Sequence, residues 1–167
     1  GDCHWVAGAL TDGDRAAAAR GEVEAGGFRL RLVDPGAEAW HRYYDEISNE
    51  TLWFLHHGLF DPVREPAFDD AWRAAWEAYC GVNALFADHV SDAAPEGATV
   101  LVQDYHLSLV GARLRRLRPD LRTVHFHHTP FCDPGELAVL PDDVAGNVLA
   151  AYVTLRAVRE RRITLDT

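Results

Sequence analysis

The sequence predicts an α/β fold in which a parallel sheet is flanked by helices. Two short apolar runs, 100–102 and 123–126, are typical of buried strands, and a polar cluster follows each of them. Between them, apolar residues recur at spacings of three and four, as on one face of a helix that stops at Pro119 (Leu107, Val110, Leu114 and Leu117). A strand, a crossover helix and a second strand form a βαβ unit with parallel strands.

The chain before this unit also alternates between predicted strands and helices. Residues 1–10 favour a strand, and an Ala-rich helix follows a turn at residues 12–13. Residues 21–27 are expected to form a loop. Residues 28–34 alternate apolar and basic side chains, which predicts a strand with one face in water.

Two helical regions are predicted between the second strand and the βαβ unit. The first covers residues 38–46, ends near Ser48, and resumes for a turn or two at 49–57. Pro66 begins the longest predicted helix, which extends from residue 67 to about residue 90. Its core side is a stripe at helical spacing (Phe68, Trp72, Trp76, Tyr79, Val82 and Phe86). After the βαβ unit, a turn leads to a last helix from about residue 142.

The composition of the chain argues against several classes of function. A formal net charge of −10 argues against a general surface for nucleic acid or anionic membranes, because both require a basic patch. No apolar stretch approaches the ~20 residues that span a bilayer. Three widely spaced cysteines, Cys3, Cys80 and Cys132, form no metal-finger motif, which favours a reduced, cytoplasmic setting.

The candidate site lies at the ends of the two strands of the βαβ unit. Asp104 follows the first strand and His128 follows the second. The carboxyl ends of parallel strands meet on one rim, where α/β sheets bind ligands, and adjacent strands are only about 5 Å apart. We therefore expect both side chains to face one pocket, where a carboxylate can accept hydrogen bonds from a ligand and an imidazole can donate them.

The same segments resemble a known family. QDYHL at 103–107, followed after one helix by HFHHTPF at 125–131 and preceded by YYDEISNETLW at 43–53, is similar to the trehalose-6-phosphate synthase family. These are retaining glycosyltransferases of family 20, which use a nucleotide-activated glucose and glucose 6-phosphate. The resemblance covers roughly residues 5–149. It implies a Rossmann-like parallel sheet in the N-terminal, acceptor-side half of a GT-B two-domain glycosyltransferase.

The resemblance also implies roles for four residues. Asp104 would contact the acceptor sugar and His128 the transferred sugar, as the catalytic pair. Tyr44 and Trp53 would bind the acceptor sugar phosphate. The family is described as needing no metal or other cofactor, since the leaving phosphate helps to deprotonate the acceptor. The partners would be glucose 6-phosphate and UDP-, GDP- or ADP-glucose, with a homo-oligomer left open.

Departures from the family shape the expected domain organisation. Residues 1–150 are expected to form the acceptor domain without its first strand and Gly-rich loop, and the continuity of 151–167 with it is uncertain. By this resemblance the C-terminal nucleotide-sugar domain is expected to lie outside this chain, and the chain alone is expected to be an inactive fragment. Gln103 and Phe54 stand where the family has His and Pro.

Two alternatives remain open. One is a relative with the same fold that couples a pseudo-sugar or is catalytically silent. The other is a metal-dependent hydrolase with ligands drawn from the Asp and His residues near the two strand ends (His56, His57, Asp104, His106, His125, His127 and His128).

Overall fold

The computed structural model describes residues 3–61 and 67–150. The helix start predicted at Pro66 and the segment 151–167 lie outside these residues. The strands are β1 (His4–Gly8), β2 (Val23–Ala25), β3 (Phe28–Val33), β4 (Thr99–Gln103) and β5 (Arg122–Phe126). The α-helices are α1 (Asp12–Ala18), α2 (Ala37–His41), α3 (Trp53–His56), α4 (Asp70–Ala93), α5 (Val110–Leu117), α6 (Pro134–Leu137) and α7 (142–150).

The described strands form two sheets. In the first, β1 runs parallel to β3, with Trp5 opposite Leu30, and β2 pairs antiparallel on the other edge of β3. In the second, β4 and β5 are adjacent and parallel, with Leu101 opposite Val124. The predicted βαβ unit is therefore confirmed in its strand pairing, and the chain is an α/β protein.

The prediction of a plain loop at residues 21–27 was wrong, because β2 lies within it. Ala25 pairs with Phe28 across a two-residue turn made by Gly26 and Gly27. Their φ angles are 59° and 88°, and such turns need positive φ at both central positions. Two consecutive glycines therefore let the chain reverse and place β2 against β3.

The predicted break near Ser48 is also absent. The π-helix Arg42–Leu52 joins α2 to α3, so the backbone stays helical from Ala37 to His56. The hydroxyl of Ser48 donates to the carbonyl of Tyr43 at 2.8 Å, and that of Thr51 to the carbonyl of Glu46 at 3.0 Å. Both bonds reach back five residues, which matches the wider π turn.

Helix α4 holds the core together, as its aromatic stripe predicts. Its buried side packs against the π-helix and α5, and the stripe from Trp72 to Phe86 is buried. The helix begins three residues later than predicted, where Asp69 caps it by accepting the N–H of Trp72 at 2.9 Å. Phe68 lies before the helix and is half-buried. Within the described residues, no helix has the length and apolar character to cross a membrane.

Candidate functional site

The rim at the carboxyl ends of β4 and β5 brings two predicted site residues together. Gln103 and Phe126 are paired at the last position of the ladder. The backbone N–H of His128 then donates to Oδ1 of Asp104 at 3.3 Å. The side chain of Asp104 therefore bridges the two strand ends that the sequence placed on one rim.

Asp104 has an unusual backbone. Its φ of 61° and ψ of 176° fall in a region that is otherwise nearly confined to glycine. Its N–H donates to the carbonyl of Phe126 at 2.7 Å, and Oδ1 also accepts the N–H of Tyr105 at 3.0 Å. No described residue makes a hydrogen bond to Oδ2. One carboxylate oxygen thus holds the loop while the other remains available to a ligand.

His128 is oriented by Gln103. Its Nε2 lies 3.0 Å from the amide oxygen of Gln103, and both side chains are exposed. An amide oxygen can only accept, so Nε2 donates in this arrangement. Gln103, the residue that departs from the family pattern, is therefore a direct partner of His128.

Tyr44 reaches the same region from the π-helix. Its ring, 40% exposed, is stacked between Trp40 at 5.8 Å and His106 at 5.2 Å, measured between centroids. The Tyr105 hydroxyl donates to Oδ1 of Asn49 at 3.3 Å, which adds a second link between the π-helix and the segment after β4. Tyr44 thus contacts the segment that follows Asp104 through the ring of His106.

Trp53 is placed differently. It is half-buried in α3, and its ring contacts those of His57 at 4.1 Å and Phe54 at 5.0 Å. Within the described residues, no hydrogen bond or ring contact joins Trp53 to Asp104 or His128. The structure therefore joins Asp104 and His128 directly. Tyr44 reaches the segment after Asp104 through the ring of His106, and Trp53 makes no contact with the pair at the strand ends.

A cavity of about 770 Å³ lies beside the π-helix and the start of α4. Its lining is acidic and aromatic (Glu46, Glu50, Thr51, Phe54, Leu59, Phe60, Asp61, Ala67, Asp69 and Trp72). None of the four predicted site residues lines it. The candidate site is the open rim and not this cavity.

Sequence reasoning did not foresee that buried His56 packs against half-buried His127. His56, only 3% exposed, packs its ring edge-on against that of His127, with centroids 4.8 Å apart. The rings of Tyr105 and Phe131 lie 5.8 and 5.1 Å from His56.

Within residues 3–61 and 67–150, no group of three or more His, Cys, Asp or Glu side chains is arranged to hold a metal ion. The described histidines therefore offer the metal-hydrolase alternative no ligand set.

Burial gives His56 a role in acid stability. Desolvation, with the nearby His127, lowers the pKa of His56 from 6.5 to about 3. Between those values the unfolded chain binds a proton that the folded chain does not, so the free energy of unfolding falls as pH decreases from 6.5 towards 3. We expect His56→Phe to make this dependence shallower in unfolding measured against pH. The same substitution at exposed His57 controls for the added ring, and an unchanged slope in His56→Phe would contradict the assignment.

Comparison with known proteins agrees with this architecture. The sequence model described as glycosyltransferase family 20 matches residues 5–151. A trehalose-6-phosphate synthase of Mycolicibacterium vanbaalenii is 41% identical over 129 residues, which cover 76% of this chain and 25% of the relative. This chain thus spans about a quarter of that relative's length.

Solved structures of low sequence identity share the fold. A trehalose-6-phosphate structure from E. coli bound with UDP-2-fluoro glucose matches with a TM-score of 0.67 at 22% identity, over 90% of this chain and 38% of that one. An α,α-trehalose-phosphate synthase (UDP-forming) from Burkholderia xenovorans in complex with glucose-6-phosphate gives 0.69 at 20% identity, over 90% and 38%. The α/β fold is therefore the Rossmann-like fold of GT-B glycosyltransferases.

The family match covers most of the chain, including all four predicted site residues. The chain belongs to glycosyltransferase family 20.

Proposed function

We propose that the intact protein transfers glucose from a nucleotide-glucose donor to glucose 6-phosphate, giving α,α-trehalose 6-phosphate with retention of configuration. The observation that carries the proposal is the rim itself. Oδ2 of Asp104 and Nδ1 of His128 make no hydrogen bonds with the described residues, and the ring of exposed Tyr44 stacks on His106, two positions after Asp104. A carboxylate and an imidazole on one rim, with a phenol on the π-helix, suit recognition of the hydroxyl groups of a sugar.

The substrates are inferred from the relatives. The E. coli structure was obtained with UDP-2-fluoro glucose and the Burkholderia xenovorans structure with glucose-6-phosphate. Both match about nine tenths of this chain, which supports the same two substrate classes here. The choice among UDP-, GDP- and ADP-glucose would fall to residues outside this chain, in a C-terminal nucleotide-sugar domain.

We assign the residues as follows. Asp104 accepts a hydrogen bond from an acceptor hydroxyl through Oδ2, and His128 contacts the transferred glucose. Tyr44 and Trp53 bind the acceptor phosphate. As the anomeric carbon separates from the diphosphate, the acceptor oxygen bonds to it on the same face. The departing phosphate takes the acceptor's proton, so positioning and electrostatics supply the catalysis.

This assignment makes residues 1–150 the acceptor side of a two-domain cleft, so this chain alone would be inactive. The open rim fits a site completed by a second domain, as GT-B enzymes require. We place the protein in the cytoplasm, since Cys3, Cys80 and Cys132 are all unpaired thiols in the structure.

The test is nucleotide diphosphate release by the full parent protein, with each nucleotide-glucose in turn and with or without glucose 6-phosphate. We expect release that requires the acceptor, and a non-reducing disaccharide phosphate whose two anomeric signals are both α by NMR. If no donor gave nucleotide diphosphate release, the proposal would be overturned in favour of a catalytically silent relative or one that couples a pseudo-sugar. A β linkage would overturn retention alone.

A further inference from the structure

The sequence neighbours of Asp104 supply only part of its support: Oδ1 accepts the N–H of Tyr105 at 3.0 Å, and the carbonyl accepts the N–H of Leu107 at 3.3 Å. A side chain in the glycine-only region of φ and ψ persists only where the surroundings hold it, because such a conformation costs of order 1–3 kcal/mol. Asp104 is one of two non-glycine residues with positive φ in the described part of the chain. Its carboxylate can serve a ligand only if this strained peptide stays in place.

Two consecutive residues of β5 hold the backbone of Asp104 from opposite sides. The carbonyl of Phe126 accepts the N–H of Asp104 at 2.7 Å, which extends the β ladder by one bond. Nε2 of His125 lies 2.7 Å from the carbonyl oxygen of Asp104. The first bond is ordinary strand pairing, whereas the second depends entirely on the side chain at position 125.

His125 is suited to this contact by its position and by its protonation. It is half-buried on β5, opposite Val102, one residue before the end of the paired ladder. A carbonyl can only accept, so Nε2 must carry the proton. Burial lowers the pKa of His125, so the ring is neutral near pH 7 and the bond selects the Nε2–H tautomer.

We propose that His125 is a positioning residue for Asp104, holding its strained peptide so that Oδ2 points into the acceptor side of the cleft. This inference deepens the proposed function and rests on it for the identity of the acceptor. His125 touches no substrate in this account. It acts through the carbonyl of Asp104, and the hydrogen bonds of Oδ1 with Tyr105 and His128 depend on the placement that results.

The experiment compares His125→Phe, which keeps a ring but removes the donor, with His125→Gln, whose amide nitrogen can replace Nε2. In the full parent protein we expect His125→Phe to lower kcat by about tenfold to a hundredfold, with the KM of the nucleotide-glucose little changed. His125→Gln should recover most of the loss. His89→Phe, at a half-buried histidine of α4 outside the site, controls for the ring substitution and should keep wild-type kcat.

Wild-type kcat in His125→Phe, or a His125→Gln variant as slow as His125→Phe, would overturn the proposal. A second readout does not require activity. Ring 15N shifts should show His125 protonated at Nε2 alone, and amide exchange at Tyr105 and His128 should quicken in His125→Phe but not in His89→Phe. Unchanged exchange would overturn the positioning role. An inactive wild type with the expected shifts and exchange would instead overturn the proposed function and leave the role of His125 in place.

Discussion

Replacing Asp104 with Asn in the intact protein is expected to lower turnover by about a hundredfold to a thousandfold, while the free energy of unfolding changes little. The Asn carbonyl can keep the two N–H bonds that Oδ1 accepts from Tyr105 and His128. Asn also tolerates positive φ about as well as Asp. What the substitution removes is the negative charge and the acceptor oxygen that faces the ligand.

This separation of effects makes the test specific. Turnover is measured with saturating nucleotide-glucose and glucose 6-phosphate, and stability by denaturant unfolding of the same preparations. Asp92→Asn is the matched control, because the Asp92 side chain is 76% exposed at the far end of α4. Wild-type turnover in Asp104→Asn would remove Asp104 from the mechanism. A large loss of stability would show that its carboxylate is structural.

The βαβ unit could be predicted from sequence because its signals are local. The apolar runs of β4 and β5 and the periodicity of the segment between them identify their elements without long-range information. The crossover rule then makes the strands parallel, and the polar residues after each strand fall on one rim. Asp104 and His128 were found together for this reason.

The missed features depend on contacts between distant residues or on special backbone geometry. His56 and His127 pack together although 71 positions separate them, and nothing near either one signals the pair. The left-handed backbone of Asp104 leaves no mark on its own sequence neighbours. The hairpin at β2 did leave a local signal in the sequence, the consecutive glycines Gly26 and Gly27. The π-helix left one in the hydroxyl side chains of Ser48 and Thr51, which bond to carbonyls five residues earlier.

Asn83 carries the largest expected effect on stability. It lies in α4, is 1% exposed, and connects that helix to the segment between β4 and α5. Its amide nitrogen donates to the carbonyls of Tyr79 at 3.0 Å and His106 at 3.1 Å. Its amide oxygen accepts the N–H of Leu109 at 3.1 Å. One side chain therefore satisfies a backbone carbonyl of α4 and two backbone groups of the segment that follows Asp104.

We expect Asn83→Leu to lower the free energy of unfolding by about 2 to 4 kcal/mol, because the His106 carbonyl and the Leu109 N–H lose their partner where water has little access. Asn83→Asp should be worse still, since a buried carboxylate would face two carbonyl oxygens. Asn147→Leu, at an exposed position of α7, should stay within about 0.5 kcal/mol of wild type in the same denaturant series. If Asn83→Leu were as stable as wild type, the segment after β4 would be held chiefly by the Tyr79 hydroxyl, which donates to the carbonyl of Tyr105 at 2.6 Å. Tyr79→Phe would then become the destabilising substitution.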